Sequence, residues 1–326
     1  MKKGKLNKIS DVAGVTVGHF TVSNEEHNTG VTVIMPCPED TPFIFSHKMV
    51  ASCAVLNGFG KSQGLVQIEE LGTLETPIAL TNTLNVGKVH DALVEYMVDK
   101  AREHQVSLRS VNPVVGECND SSLNKITERV IGTAEVMQAI ETASADFEEG
   151  AVGAGRGTTC FGLKGGIGSA SRVFKIGKET YTLGVLVQSN FGSTADLRID
   201  GEPVGKRIAA EIAKNEPDKG SIMMIAATDL PVTDRQLKRI LKRAGVGLAR
   251  LGSYWGHGSG DVVIGFSTAQ RLAWDDEGPT LAVRMLNEEY INEAFRAMAD
   301  ATEEAVLNSM LQAEAVGNRH SLKEFL

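Results

Sequence analysis

One serine of this sequence has a local setting suited to nucleophilic chemistry. Residues 217–220 (PDKG) form a turn signal, and Ser221 follows at once and opens an apolar run over residues 221–227. Such a run is typical of a central strand. The serine hydroxyl can attack the carbonyl of Gly220, because glycine leaves that carbonyl open and tolerates strained backbone. The acyl group then shifts to the serine oxygen, and water releases a new N-terminus at Ser221.

The α-amine freed by this cleavage would serve as the base for the same hydroxyl. Its reference pKa is about 7.7–8.0, far below the value of about 10.4 for a lysine side chain. It can therefore accept the hydroxyl proton near neutral pH. Taken alone, the motif is also typical of a serine that merely starts a strand, and this plainer interpretation stays open at this point.

A second serine lies in a pattern used by serine esterases. Residues 60–64 (GKSQG) match G-x-S-x-G, in which Ser62 would be the nucleophile of a strand–turn–helix elbow. Here Asn57 and Gly58 interrupt the chain before the serine, and residues 65–68 (LVQI) are typical of extended backbone. The context argues against the elbow, and a conventional esterase that uses Ser62 remains an alternative.

The glycine-rich segments prompt a search for nucleotide-binding loops, since 34 of the 326 residues are glycine. Residues 60–62 resemble the end of a P-loop, but Val55 stands where its first glycine must be. The glycines of residues 150–168 fit no G-x-G-x-x-G fingerprint. The sequence has no H-E-x-x-H, and its seven histidines do not cluster with acids at metal-ligand spacing. We therefore expect neither a metal nor an organic cofactor.

Composition and charge exclude several classes of protein. The formal net charge is −8 and the hydrophobic content is 42%, so the chain is not disordered and has no general basic field for nucleic acid or anionic membranes. No segment reaches the roughly 18 apolar residues of a membrane helix, and residues 12–17 are too short for the apolar part of a signal peptide. The cysteines are widely spaced, as expected of free thiols in a reducing cytoplasm; they are Cys37, Cys53, Cys118 and Cys160.

Short β-branched runs and amphipathic stretches predict the elements that must position these residues. Strands are predicted near residues 15–19, 30–35, 77–82, 111–117, 165–176, 180–190, 221–228 and 261–268. Helices are predicted within residues 89–103, 231–243 and 287–312. Because no linker or repeat marks a boundary, we expect a single layered α/β or α+β domain over residues 1–326.

An ordered set of segments spreads over most of the chain. The segments are ISDVAGVTVGH (9–19), GFGKSQGLVQIEELG (58–72), LTNTLNVG (80–87), NPVVGECND (112–120), GAVGAGRGTTCFGLKGGIGSASR (150–172), GVLVQSNFG (184–192), KGSIMMIAATDLPV (219–232) and GLARLGSYWGHGSGDVVIGFSTA (247–269). Together they resemble the L-aminopeptidase/D-esterase and β-peptidyl aminopeptidase family of self-processing N-terminal-nucleophile hydrolases. The resemblance implies a four-layer αββα sandwich. It also implies one domain cut between Gly220 and Ser221 into residues 1–220 and 221–326, with these heterodimers assembled into a homo-oligomer.

Carried over position by position, the resemblance implies roles for five residues. Ser221 would be both nucleophile and N-terminal base, and Asn190 would donate its carboxamide N–H to the oxyanion. Ser259 and Asp261 match a serine–acid pair that orients the new amine and hydroxyl. Glu117 matches a carboxylate that holds the α-ammonium of the substrate. Without the resemblance, Asn190 also fits a strand-end turn and Glu117 a surface acid. Ser259 and Asp261 likewise fit ordinary turn residues.

The sequence departs from the family in two places. Residues 118–120 (CND) follow Glu117, where many members carry aromatic side chains, so the side-chain preference is left open. The acid of the serine–acid pair is the shorter Asp261, where some members have glutamate. His257 lies beside this pair, but the mechanism does not need it, and we interpret it as structural.

The predicted reaction is acyl transfer from an N-terminal aminoacyl peptide, amide or ester to water, in a cytoplasmic enzyme with no nucleic-acid or membrane partner. One alternative is an N-acetyltransferase on a related fold, which would pass the acyl group to an amine and use Thr228, a threonine inside the apolar run after Ser221. Another is an unprocessed binding protein that keeps the fold without catalysis.

Overall fold

The computed structural model describes residues 1–36, 43–212, 220–273 and 278–326. Within these ranges, two β-sheets face each other across a shared apolar layer, and helices cover the outer face of each sheet. Both faces of each sheet carry apolar side chains, so one face packs against the other sheet and the opposite face packs against helices. The order of layers is helix, sheet, sheet, helix, which confirms the predicted αββα sandwich.

The larger sheet, sheet A, has six described strands. In spatial order, and numbered along the chain, they are β4 (Thr73–Leu74), β3 (His47–Gly58), β12 (Gly260–Ala273), β11 (Ser221–Thr228), β10 (Glu179–Asn190) and β9 (Ile167–Ile176). Neighbours are antiparallel except for β11 and β12, which run parallel. β11 therefore lies inside the sheet with a hydrogen-bonded strand on each side.

The smaller sheet, sheet B, has four described strands. They are, in spatial order, β1 (Val15–Ser23), β2 (Asn28–Pro36), β5 (Ile78–Asn82) and β6 (Val114–Cys118). β5 and β6 are parallel, and α2 (Val86–Glu103) makes the crossover that a parallel pair requires. Two short strands, β7 (Thr159–Cys160) and β8 (Leu163–Lys164), form a separate hairpin.

The helices are divided between the outer layers. Sheet B is covered by α2 and α3 (Thr133–Glu141), and sheet A by α5 (Asp234–Leu241), α6 (Ala244–Arg250) and α7 (Asn292–Leu311). The shorter helices α1 (Leu65–Leu71) and α4 (Val204–Glu211) add Ile68 to the shared layer and Ile208 to the outer core of sheet A. None of the described helices combines the length and apolarity needed to cross a membrane.

β11 is buried from end to end, as its continuous apolar run predicts. Met223 and Ile225 belong to the shared layer, whereas Met224 and Ala226 pack under the helices on the other face. Side chains alternate along a strand, so Ser221 lies on the same face as Met223. The hydroxyl therefore points toward the space between the two sheets.

All eight predicted strands and all three predicted helices overlap observed elements, but the extended backbone predicted for residues 65–68 is wrong. These residues begin α1, in which Leu65, Ile68 and Leu71 follow a helical spacing that four residues cannot reveal. Gly64 and Gly72, with φ of +85° and +67°, bound this helix in left-handed conformations.

The sequence analysis also gave no indication of β3. The middle of this strand, residues 51–54 (ASCA), consists mostly of small residues with weak strand propensity. All four are buried beside β12, so tertiary packing rather than local preference determines their conformation.

Replacing Ile225 by alanine should lower the free energy of unfolding by about 2–5 kcal/mol, because the side chain is fully buried in the shared layer and its loss leaves a cavity. Val283→Ala is the control, since Val283 is 53% exposed and a change of about 0.5 kcal/mol or less is expected there. Denaturant unfolding followed by circular dichroism measures both. A loss for Ile225→Ala no larger than that of the control would contradict the described core.

Candidate active site

Ser221 is the first residue of β11 and lies between the ends of two neighbouring strands. Its register partner on β10 is Asn190, and its partner on β12 is Gly260. The backbone N–H of Gly260 donates to Ser221 Oγ at 3.2 Å. Ser221 is only 7% exposed, so the hydroxyl lies in a largely desolvated place where electrostatic interactions are stronger than in water.

Asn190 ends β10 directly opposite Ser221. Its Oδ1 accepts a hydrogen bond from the backbone N–H of Thr159 at 2.9 Å. This bond fixes the orientation of the carboxamide, because the oxygen and the nitrogen occupy opposite branches of the same carbon. The Nδ2 group is thereby turned away from Thr159. A buried amide held in this way can donate to a negatively charged oxygen that forms beside Ser221.

Ser259 immediately precedes β12 and Asp261 is its second residue, so the two flank Gly260. Ser259 Oγ donates to Asp261 Oδ1 at 2.8 Å, and both residues are buried. The shorter aspartate therefore does reach the serine. The structure therefore places this pair, Ser221 and Asn190 at the neighbouring ends of β10, β11 and β12 in sheet A.

Glu117 approaches the same place from β6 of sheet B. Its Oε1 accepts from the backbone N–H of Lys61 at 2.9 Å, and its Oε2 accepts from the Thr83 hydroxyl. A Cβ placed on Gly60 would lie 3.8 Å from both Glu117 Oε1 and Gly260 Cα. Gly60 therefore separates the Glu117 carboxylate from Gly260, the first residue of β12. At 3% exposure it is a buried carboxylate, and the interpretation as a surface acid is wrong.

Gly220, the residue before Ser221, packs directly on the end of β10. A Cβ at this position would lie 1.6 Å from the carbonyl oxygen of Asn190 and 2.6 Å from Phe191 Cα. Backbone atoms cannot move aside as a flexible side chain can. Only glycine therefore fits at this point. Because its Cα carries no side chain, the adjacent carbonyl carbon is not shielded.

A cavity of about 430 Å³ opens beside Asn190 and Gly220. Its wall also includes Asn119, Thr159 and Arg319. Arg319 is 8% exposed, and its Nη1 donates to the carbonyl of Gly162 at 3.2 Å. The volume lies within the range of about 300–1,000 Å³ that is usual for small-molecule sites.

Two residues of this region were missed by sequence reasoning. Thr159 contributes through its backbone N–H, which no side-chain pattern can reveal. Lys164, on β8, is fully buried, and its Nζ donates to three backbone carbonyls. Burial holds the pKa of Lys164 well below that of an ordinary lysine. A lysine inside the glycine-rich apolar segment 150–168 was the one available signal.

The alternative nucleophiles lie in less suitable surroundings. The half-buried Ser62 hydroxyl donates to the thioether of Met223 at 3.5 Å, and a thioether cannot act as a base. Thr228 is at the opposite end of β11 from Ser221, about 23 Å away at about 3.3 Å per residue. Its hydroxyl donates to the carbonyl of Thr182 at 2.8 Å. His257 is exposed, with its ring 6.2 Å from that of Phe59.

The described cysteines Cys53, Cys118 and Cys160 are buried free thiols, and Cys37 lies outside the described residues. Burial raises the pKa of the Cys118 thiol, which makes it a poor nucleophile. One group of possible metal ligands, Glu26, His27 and Glu128, has ligand atoms within 4.8 Å of one another. Lys125 pairs with Glu26, and His27 Nε2 lies 2.9 Å from Glu128. These contacts already occupy the three groups, and none of the candidate catalytic residues belongs to them.

The chain matches a protein family, a named relative and a solved structure over nearly its whole length. A family model described as Peptidase family S58 matches residues 7–323. The β-peptidyl aminopeptidase BapA of Sphingosinicella microcystinivorans is 36% identical, over 97% of this chain and 84% of that protein. A solved structure from Pyrococcus horikoshii OT3 superposes with a TM-score of 0.90 and 46% identity, covering 98% of this chain and 92% of that one.

A second solved structure relates the fold to chemistry. It is the L-aminopeptidase D-Ala-esterase/amidase of Ochrobactrum anthropi, described as a variant of the Ntn-hydrolase fold. It has a TM-score of 0.90 and 35% identity, covering 97% of this chain and 89% of that one. The chain described here therefore belongs to peptidase family S58 and is an aminopeptidase-type hydrolase with the Ntn-hydrolase fold.

Proposed function

We propose that Ser221, as the N-terminal residue of a processed chain, is the nucleophile with which this hydrolase releases N-terminal amino acids from peptides, amides or esters. The observation that carries the proposal is the position of Ser221. It begins a central strand, with Asn190 opposite it on one side and the Ser259–Asp261 pair beside its other neighbour, Gly260.

Self-cleavage would prepare this nucleophile within a single domain. Ser221 Oγ adds to the carbonyl carbon of Gly220, and collapse of the adduct breaks the peptide bond, forms an ester and frees the α-amine. Water then hydrolyses the ester and leaves a carboxylate on Gly220. The products are residues 1–220 and residues 221–326. The backbone contacts that admit only glycine at position 220 support this site of cleavage.

Turnover would repeat the same acyl chemistry on a substrate. The α-amine of Ser221 takes the proton of its own hydroxyl as Oγ adds to the substrate carbonyl. The Nδ2 group of Asn190 donates to the resulting oxyanion, an interaction worth about 2.7–4 kcal/mol of transition-state stabilisation. The proton passes to the leaving amine or alcohol, and water hydrolyses the acyl-enzyme. The buried bond between Ser259 and Asp261 gives the new amine a fixed polar neighbour.

Glu117 would recognise the free ammonium group of the substrate. Two hydrogen bonds hold its carboxylate, and a buried negative charge attracts a cation more strongly than an exposed one does. Two relatives are named a β-peptidyl aminopeptidase and an L-aminopeptidase D-Ala-esterase/amidase, and an aminopeptidase by definition acts at a free N-terminus. None of these steps requires a metal or an organic cofactor.

Of the three residues at which this chain departs from the family after Glu117, only Asn119 lines the cavity, since Cys118 and Asp120 are fully buried. Any effect of this departure on side-chain preference would therefore act mainly through Asn119. A panel of L-, D- and β-amino acid amides compared on wild type and on Asn119→Ala would measure it.

The proposal extends to assembly and compartment. An apolar groove of about 1,050 Å³ is lined by Val55, Val66 and Trp255, all of them exposed. Such a surface favours association of the processed heterodimers into a homo-oligomer. The free buried thiols fit a cytoplasmic location. Light scattering of the purified protein measures the assembly.

Ser221→Ala should abolish hydrolysis of aminoacyl p-nitroanilides and leave the protein as one chain on a denaturing gel, because it removes the nucleophile of both reactions. Ser62→Ala is the matched control and should retain both activities, since the Ser62 hydroxyl contacts only a thioether among the described polar groups. Wild-type turnover by Ser221→Ala would contradict the proposal. Loss of activity confined to Ser62→Ala would instead favour the esterase alternative.

Glu117→Gln should lower kcat/KM by about 10- to 100-fold, mainly through a higher KM, because the ammonium of the substrate loses a charged partner. The control Glu70→Gln removes an equal charge from the exposed face of α1 and should leave the kinetics unchanged. Initial rates over a range of substrate concentrations separate KM from kcat. An unchanged KM for Glu117→Gln would place the ammonium elsewhere.

A further inference from the structure

Lys164 lies beside the candidate oxyanion site, and the mechanism proposed above does not use it. Its side chain is fully buried. Taking an ammonium group out of water is costly unless it is fully hydrogen-bonded. A cation kept at such a cost next to Asn190 calls for a physical reason.

The surroundings of Lys164 match its protonated form. Its Nζ donates to the carbonyls of Gly155 at 2.9 Å, Thr158 at 2.7 Å and Gly165 at 2.6 Å. An ammonium group has three N–H donors, whereas a neutral amine has only two, so the three carbonyls stabilise the charged state against the burial that lowers the pKa of Lys164. The charged and titratable groups that act on it are Arg156, which disfavours the positive charge, and Asp120 and Cys160, which favour it.

One of these bonds connects Lys164 to Asn190. The carbonyl of Thr158 and the N–H of Thr159 belong to the same peptide unit. Lys164 binds the oxygen of this unit, and its N–H donates to Asn190 Oδ1 at 2.9 Å. A continuous chain therefore leads from the ammonium through one peptide and one carboxamide to the Nδ2 group of Asn190, the register partner of Ser221.

We propose that Lys164 is a positioning residue that holds and polarises the oxyanion donor Asn190 through the peptide unit between Thr158 and Thr159. Hydrogen bonds in a chain strengthen one another by about 10–30% per bond, and bonds to charged groups are stronger than neutral ones. Electron density drawn toward the ammonium makes the Thr159 N–H a better donor. This in turn makes the Nδ2 hydrogens of Asn190 more positive. The inference rests on the proposed role of Asn190.

A purely structural role would act differently. The bonds from Lys164 to Gly155 and Gly165 also tie the backbone before β7 to the backbone after β8, so removal of the lysine will lower stability in either case. We call the chain from Lys164 through the Thr158–Thr159 peptide to Asn190 the relay. Only the relay predicts that removing Lys164 lowers transition-state stabilisation specifically, and that this loss disappears when Asn190 is absent.

The test compares Lys164→Met with Arg172→Met in the full-length gene product. Arg172 is a matched buried cation whose partners are the carbonyls of Ser171 and Asp300 and the Glu304 carboxylate, away from the relay. The probe is an amino aldehyde. Its carbonyl adds the Ser221 hydroxyl and places an oxygen in the oxyanion position. The readouts are the Kd of the aldehyde and the kcat and KM of the matching p-nitroanilide.

For Lys164→Met we expect the aldehyde Kd to rise and kcat to fall, each by about tenfold, with KM changed less than about twofold. Arg172→Met should change none of the three. In an Asn190→Ala background, Lys164→Met should add less than about a further twofold. Full additivity of the two substitutions, or an unchanged Kd for Lys164→Met, would overturn the inference.

Two further outcomes are distinguishable. If Asn190→Ala itself leaves wild-type kinetics intact, the proposed oxyanion role fails, and the inference fails with it. If Lys164→Met does not fold or process, NMR of the wild type decides. The Thr159 amide proton should then resonate downfield of backbone amides with bonds of similar length, and an ordinary shift would overturn the relay.

Discussion

The hydrogen-bonded ladder of β11 with its two neighbours is the constraint on which the candidate site depends. Its antiparallel register with β10 places Asn190 opposite Ser221, and its parallel register with β12 places Gly260 on the other side. A shift of one residue would turn the Ser221 side chain to the opposite face of the sheet. The burial of β11 on both faces makes such a shift costly, so the core of the sandwich fixes the geometry of the site.

A second constraint is close backbone packing around this ladder. Gly220 lies against the carbonyl of Asn190, and a Cβ on Gly260 would lie only 3.0 Å from Gly60 Cα, next to Glu117. The two sheets can therefore contribute to one site, with the proposed nucleophile on sheet A and the proposed ammonium-binding carboxylate on sheet B. Under the proposed cleavage, position 220 combines two requirements, since the residue that packs tightly against β10 is also the one whose carbonyl Ser221 would attack.

Elements whose conformation follows from their own residue pattern were predicted correctly from the sequence. The run at 221–228 coincides with β11 because a strand covered on both faces needs continuous apolar residues. The helix at 65–71 was predicted to be extended because the four residues 65–68 are too few to show a helical repeat. Glu117, on the other sheet, was indicated only by the family resemblance, since a contact between sheets leaves no local pattern. Thr159 contributes a backbone N–H, and the Lys164 side chain binds backbone carbonyls, so neither contact pairs two side chains in a recognisable motif.

The most direct test of the account is mass spectrometry with N-terminal sequencing of the purified wild-type protein. Scaling the 34.9 kDa of the whole chain by length predicts about 24 kDa for residues 1–220 and about 11 kDa for residues 221–326. The smaller chain must begin at Ser221. A single intact chain that nevertheless releases N-terminal amino acids would contradict the account, because its nucleophile would then have no α-amine to serve as base.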